Sequence, residues 1–218
     1  MTLITLGDLQ AGLPSLPLFI VIMAGLWFIL VLFSLKTYGW KPTFRYFVPM
    51  IIASLFLEGS AVAAGRYTYE GYLLYISALG GLVPLIILLG WSANLFIFTH
   101  ISTRIMSYFS TSTTKRSLVA TAALAGIIGV AVDLFEDPLA HHNHWWTWAE
   151  TTNELQLFNV PLSNYVDWFL ILFFMALATL LIEHSSVSEN RKMMLSFFSI
   201  PLLGGLIFFS HTLLTMIL

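Results

Sequence analysis

Apolar side chains follow one another along this chain in runs of about 20 residues, and polar residues collect between the runs. A helix needs about 20 apolar residues to cross the hydrocarbon of a bilayer. The pattern therefore predicts an all-α, polytopic membrane helix bundle, with one integral-membrane domain over residues 1–218. The predicted transmembrane helices are Leu16–Leu35, Tyr46–Gly65, Leu82–His100, Leu118–Glu136, Ser163–Glu183 and Leu195–Leu218.

One further apolar stretch, from Gly71 to Leu79, is too short to cross a membrane. Gly80, Gly81 and Pro84 interrupt it before the third predicted helix begins. Glycine and proline are strong breakers of regular structure. We therefore expect an interfacial segment that leads into the third span.

Composition supports the membrane assignment. Hydrophobic residues make up 58% of the chain and charged residues 9%, against about 45–50% and about 25% in soluble domains. Too few polar side chains are present to cover a soluble globule, so soluble, disordered and coiled-coil proteins are excluded. The net charge of −2 gives no basic surface for nucleic acid. Without cysteine there is no disulfide, thiolate nucleophile or cysteine-bound metal.

The basic residues predict the orientation of the bundle. Of nine lysines and arginines, eight lie in the connections that follow spans one, three and five, and only Arg66 lies in a connection on the other side. Loops rich in lysine and arginine stay on the cytoplasmic side. Both termini are therefore predicted to lie outside. The eight residues are Lys36, Lys41, Arg45, Arg104, Lys115, Arg116, Arg191 and Lys192.

Several carboxyl groups fall at one level of the predicted bundle, near its outer face. Ionisable residues inside a span are costly and indicate function. Glu58 lies within the second span, and an acidic group closes the fourth. Asp167 opens the fifth span three residues after Asn164, on the same helical face. The acids of the fourth span are Asp133, Glu136 and Asp137.

Small residues in the fourth span predict which way its acids point. Ala122, Gly126, Gly129 and Asp133 recur at spacings of four, three and four, which forms a strip that allows a neighbouring helix to come close. Asp133 should therefore point into the bundle. Pro138 biases the preceding Asp137 away from helical geometry. The alternative is that these carboxyl groups are interfacial acids satisfied by water.

The loop after the fourth span contains three histidines and three tryptophans. His141, His142 and His144 fit no familiar pattern of metal ligands, so no metal is predicted. Trp145, Trp146 and Trp148 fit two interpretations. They belong to an aromatic belt at the membrane interface, or they cover an apolar ligand and stabilise a passing cation through their ring faces.

Together these residues resemble a known family. The order runs from Glu58 through Gly65-Arg66-Tyr67-Thr68-Tyr69, Val83-Pro84 and Gly90-Trp91 to Asp133-x3-Asp137-Pro138, Trp146-x-Trp148 and Asn159-Val160-Pro161-Leu162-x-Asn164-x3-Trp168. It is similar to that of the membrane carotenoid 1,2-hydratases, a group that includes bisanhydrobacterioruberin hydratase. The resemblance covers about residues 55–170. One position departs from the family pattern, which has glycine where this chain has Asp167.

The resemblance implies an enzyme that adds water to a terminal double bond of an acyclic carotenoid taken from the bilayer. It implies Asp133, Glu58 and Asp137 as catalytic residues, and no cofactor or metal is required. A carboxylic acid in an apolar pocket keeps its proton near neutral pH and can protonate an alkene. Asp133 is the expected donor, and Glu58 is expected to orient water or stabilise the cation. The expected substrate-binding residues are Trp91, Trp146, Trp148, Tyr67, Asn164, Asp167 and Trp168.

Two other functions compete with hydration. Asp133-x3-Asp137 resembles an acidic motif for magnesium diphosphate, which suggests prenyl transfer, although Arg66 is the only base on that side. A small transporter with an acidic ion site is the second alternative, although no inverted repeat supports it. A retinal photoreceptor is excluded, since no lysine lies inside a predicted span.

Overall fold

A computed structural model describes residues 15–109, 114–149 and 155–217, and in that part of the chain it contains six α-helices. The first five are long and apolar enough to cross a membrane, which confirms the predicted all-α membrane bundle. The side chains of residues 208–218 and both chain ends lie outside the described part, so the sixth predicted span and the placement of the termini fall partly beyond it. The helices are α1 Leu16–Tyr38, α2 Trp40–Ala63, α3 Leu85–Phe109, α4 Lys115–His142, α5 Leu162–Glu183 and α6 Glu189–Ile217.

In the described part of the chain, six short strands lie at one end of the bundle, where α2 and α4 end and α3 and α5 begin; we call it the strand end. They form three antiparallel pairs, β1 with β4, β2 with β3, and β5 with β6. The pairing of β1 with β4 joins segments that are far apart in the chain. The strands are β1 Tyr67–Tyr69, β2 Tyr75–Ala78, β3 Gly81–Pro84, β4 Trp146–Trp148, β5 Gln156–Leu157 and β6 Val160–Pro161.

The segment predicted to be interfacial is half of a β-hairpin. Strands β2 and β3 are joined by Leu79 and Gly80, whose φ angles are 51° and 91°. Two consecutive residues with positive φ are typical of the type I′ turn, whose twist matches that of the strands. The hairpin packs directly on α2. The contact is so close that a Cβ atom added to Gly59 would lie 2.6 Å from the carbonyl oxygen of Ala78. The third helix consequently begins at Leu85, three residues later than predicted.

Helix α4 continues past the position where we expected it to end. It runs through Pro138 to His142, so Asp137 stays helical despite the bias that Pro138 imposes on it. Proline removes one backbone hydrogen bond from a helix. The last turn is nevertheless packed, since Ala140 is fully buried and its carbonyl oxygen accepts a hydrogen bond from the amide of Trp145. Tertiary packing outweighs the local bias at this position.

The strip of small residues on α4 packs against α5, as predicted. All four of its members are buried: Ala122, Gly126, Gly129 and Asp133. A Cβ atom on Gly126 would lie 2.9 Å from the carbonyl oxygen of Phe169, and one on Gly129 would overlap the side chain of Leu172. Only glycine permits this approach, so the strip sets how closely the two helices can pack.

The charge pattern had placed Arg45 in the loop before α2. The structure places it inside α2, at the opposite end of the bundle. Its guanidinium group is 1% exposed and pairs with both carboxylate oxygens of Glu183. Its Nη1 atom donates to Glu189 at 2.8 Å. A planar guanidinium can bond two carboxylates at once. Arg45 therefore ties α2 to α5 and α6.

Helix α1 lies at the edge of the bundle, and its large apolar side chains are mostly exposed. The core lies between the other helices. Its central side chains are Met50 and Ala53 of α2, Leu95 of α3, and Leu172 and Met175 of α5, all without exposed surface. This packed core supports the functional residues, which lie above it at the strand end.

Candidate functional site

A cavity opens at the strand end between helices α2, α3, α4 and α5. Its space, counted together with the open mouth, is about 940 Å³. All the sequence-predicted site residues except Asp133 contribute to its wall. These residues are Glu58, Tyr67, Trp91, Asp137, Trp146, Trp148, Asn164, Asp167 and Trp168.

Glu58 is held by three hydrogen bonds. Its Oε1 atom accepts from the indole nitrogen of Trp91 at 2.5 Å. Its Oε2 atom accepts from the hydroxyls of Tyr67 at 2.6 Å and Tyr69 at 2.7 Å. Burial, followed by the neighbouring Glu58 carboxyl, raises the pKa of both tyrosines well above the usual range, so they remain donors. A carboxyl group that accepts three such bonds is suited to carry a negative charge at a fixed position.

The two tyrosines reach Glu58 because strand β1 turns alternate side chains to one face. Tyr67 pairs with Trp148 and Tyr69 with Trp146 across the sheet. The tryptophans are both 7% exposed, whereas the threonines between them point to solvent. Four aromatic side chains therefore cover the cavity. The tryptophans of this segment are buried, as in the interpretation of an aromatic cover, and Trp145 stacks on Phe19 with ring centroids 4.3 Å apart.

A second acidic group lies across the cavity, where α4 meets α5. Asp133 and Asp137 are one helical turn apart, and their carboxyl groups interact directly. The side-chain amide of Asn164 donates to Asp133 at 2.9 Å and also to Asp137. The glycines of α4 bring α5 close enough for this contact. Asp137 lines the cavity, whereas Asp133 is fully buried behind it, and its Oδ1 atom has no hydrogen-bond partner among the described residues.

Asp167, the residue that departs from the family pattern, is paired with a base. Both terminal nitrogens of Arg66 lie 3.2 Å from its Oδ2 atom, and Nη2 also donates to Ser163 at 3.4 Å. The pair links the segment after α2 to the first turn of α5. Arg66 therefore faces a carboxylate within hydrogen-bonding distance.

Four polar residues of the cavity wall were not predicted as site residues: Arg66, Tyr69, Asn94 and Glu136. Three of them lie close in sequence to a predicted residue on the same strand or helix. Tyr69 lies two residues after Tyr67 on a strand, and Asn94 lies three residues after Trp91 on a helix. Glu136 precedes Asp137 directly, and its exposure to the cavity depends on the rotation of α4, which the sequence does not give.

The histidine-rich segment shows no arrangement typical of a metal site. In the described ranges, no group of three or more His, Asp or Glu side chains is positioned to hold a metal ion. His141 and His142 end helix α4, and the Nδ1 atom of His141 accepts a hydrogen bond of 3.5 Å from the amide of Trp148. This contact connects the helix end to β4.

The fold and the cavity define a class of protein, a polytopic helical membrane protein with two groups of acids under an aromatic cover. Comparison with known families is more specific. Residues 16–217 match the family described as "Carotenoid biosynthesis protein", and the chain belongs to that family. The match extends well beyond the segment that carried the sequence resemblance. Comparison with curated proteins and with solved structures finds no match.

Proposed function

We propose that this protein is a carotenoid hydratase of the cell membrane, which adds water to a terminal C=C bond of an acyclic carotenoid. The observation that carries the proposal is the pair of unlike acidic groups facing one aromatic cavity. Glu58 accepts three hydrogen bonds, whereas Asp137 shares one amide donor with a second carboxyl group. Carboxyl groups in unlike surroundings commonly divide into a proton donor and a charged partner.

The proton donor in this proposal is Asp137. Two carboxyl groups in contact at a buried site cannot both carry a charge, so Asp133 and Asp137 share a proton. The sequence hypothesis assigned donation to Asp133. Because Asp133 lies behind the wall and Asp137 lines the cavity, we assign transfer to the substrate to Asp137. Asp133 is its positioning partner, and Asn164 holds the two in register.

The proposed reaction has two steps. The carboxyl proton of Asp137 bonds to the CH carbon of the terminal double bond, and the π electrons form that C–H bond. The other alkene carbon becomes a tertiary carbocation. A water oxygen then bonds to this carbon, and one water proton leaves to a carboxylate of the site. The product is a tertiary alcohol, one water heavier than the substrate.

The carbocation would lie among groups that stabilise positive charge. Glu58 supplies a negative charge whose position its three donors fix, and such preorganised charge is effective in a dry site. Trp91 and Trp168 add ring faces, with centroids 4.6 Å apart, and aromatic faces attract cations. The wall also has apolar side chains, among them Phe19 and Met23 from α1 and Ile207 from α6, which suits a polyene that enters from the bilayer.

The test is pigment analysis in cells that make an acyclic carotenoid and express this protein. Hydration predicts a product heavier by one water. Asp137→Asn keeps the shape of the side chain and removes its transferable proton, so formation of the product should fall about 10²–10⁴-fold. Glu58→Gln should be similarly harmful, while His142→Ala, at the end of α4, serves as the control.

Other results would point to other functions. A product heavier by a five-carbon unit would indicate prenyl transfer. Unchanged pigment together with acid-dependent ion flux into vesicles that contain the protein would indicate a transporter. An Asp137→Asn variant that folds and hydrates at the parent rate would contradict the mechanism while leaving the activity in place.

A further inference from the structure

Glu136 differs from the other carboxyl groups of the cavity because, among the described residues, its own carboxyl group has no hydrogen-bond or ion-pair partner. Glu58 accepts three hydrogen bonds, Asp137 accepts one from Asn164, and Asp167 pairs with Arg66. Glu136 lines the same cavity, yet over residues 15–109, 114–149 and 155–217 its carboxyl group makes no hydrogen bond and no ion pair. It is therefore the carboxyl group available to a ligand in the cavity.

Polar groups inside proteins usually have a hydrogen-bond partner, often an ordered water. The hydration proposed above requires one water at a fixed position in the cavity. The carboxyl group of Glu136, which is half-buried and lines the cavity, provides an acceptor for this water.

We infer that Glu136 binds the nucleophilic water and accepts its proton. The inference rests on the proposed hydration and assigns the residue that acts in its second step, the addition of water. As the water oxygen bonds to the tertiary carbocation, one O–H bond breaks and that proton moves to the Glu136 carboxylate. The proton then returns through solvent at the cavity mouth to Asp137, which lost one in the first step. The two protons balance, and no other reactant is needed.

An experiment in deuterated water can distinguish the two steps of the reaction. Protonation of the alkene by Asp137 is reversible, so loss of a proton from the same carbon leaves deuterium in recovered substrate. Glu136→Gln cannot accept the proton of water. We therefore expect alcohol formation to fall about 10²–10⁴-fold, while deuterium continues to enter recovered carotenoid at the parent rate or faster, because Asp137 still transfers its deuteron and can take a proton back from the same carbon.

Matched variants distinguish the outcomes. Glu70→Gln makes the same chemical change at an exposed position of the strand end and should leave both readouts unchanged. Asp137→Asn should lose exchange and hydration together. If Glu136→Gln hydrates at the parent rate, or loses exchange and hydration together, the inference is wrong. If the parent protein neither hydrates nor exchanges, the proposed function itself fails.

Discussion

The contact between α4 and α5 makes a prediction about stability that is independent of the chemistry. In Gly126→Ala, the new Cβ would lie 2.9 Å from the carbonyl oxygen of Phe169 and 2.9 Å from its Cδ2 atom. The carbonyl belongs to a helix backbone and cannot rotate away, so the helices must separate. Overpacking of this kind costs about 1–3 kcal/mol. The separation would also move Asn164 away from Asp133 and Asp137.

A matched control removes the effect of helix propensity. Alanine is favoured over glycine in a helix by about 1 kcal/mol, and this gain offsets part of the clash. Gly25 lies within helix α1, and a Cβ atom added to it would meet nothing within 4 Å, so Gly25→Ala carries the same gain without the clash. The difference between the two variants should therefore equal the packing cost, about 1–3 kcal/mol.

The assay is unfolding of both purified variants in detergent, followed by circular dichroism. We expect Gly25→Ala to match or exceed the parent Tm and Gly126→Ala to fall below the Gly25→Ala variant. Gly129→Leu should be worse, because the added side chain would occupy the place of Leu172, which has no exposed surface. Equal stabilisation by Gly126→Ala and Gly25→Ala would refute the close contact between α4 and α5.

Three further outcomes are expected. Single cysteines at Thr147 and Ser186, on opposite ends of the bundle, should be labelled by an impermeant reagent from opposite faces of the membrane; labelling from one face would contradict the predicted topology. Tyr69→Phe removes one hydrogen bond to the buried carboxyl group of Glu58 and should lower the free energy of unfolding by about 1.5–3 kcal/mol. The control, Tyr108→Phe, changes an exposed side chain and should alter the free energy of unfolding little. Arg45→Lys should lower Tm, because an ammonium group cannot form the forked contact to two carboxylates; an unchanged Tm would show that the pairing adds nothing to stability.

The sequence alone determined the helical class of the protein, because the ability to cross a bilayer is a local property. A run of about 20 apolar residues is sufficient, whatever surrounds it. The strip that contains Gly126 and Gly129 was predictable for the same reason, since spacing on one helix defines a face. The depth of the acidic residues along the bundle was predicted by counting residues along each span. These predictions needed no knowledge of neighbouring helices.

The tertiary structure decided the contacts that make the site. Glu58 has partners from α3 and β1, and Asn164 bonds two acids of another helix. Such contacts depend on the rotation and register of each helix against its neighbours, which hydropathy does not encode. The same dependence placed Asp137 on the cavity wall and kept α4 helical through Pro138. A local bias of a few kcal/mol gives way when burial of the adjoining turn contributes more.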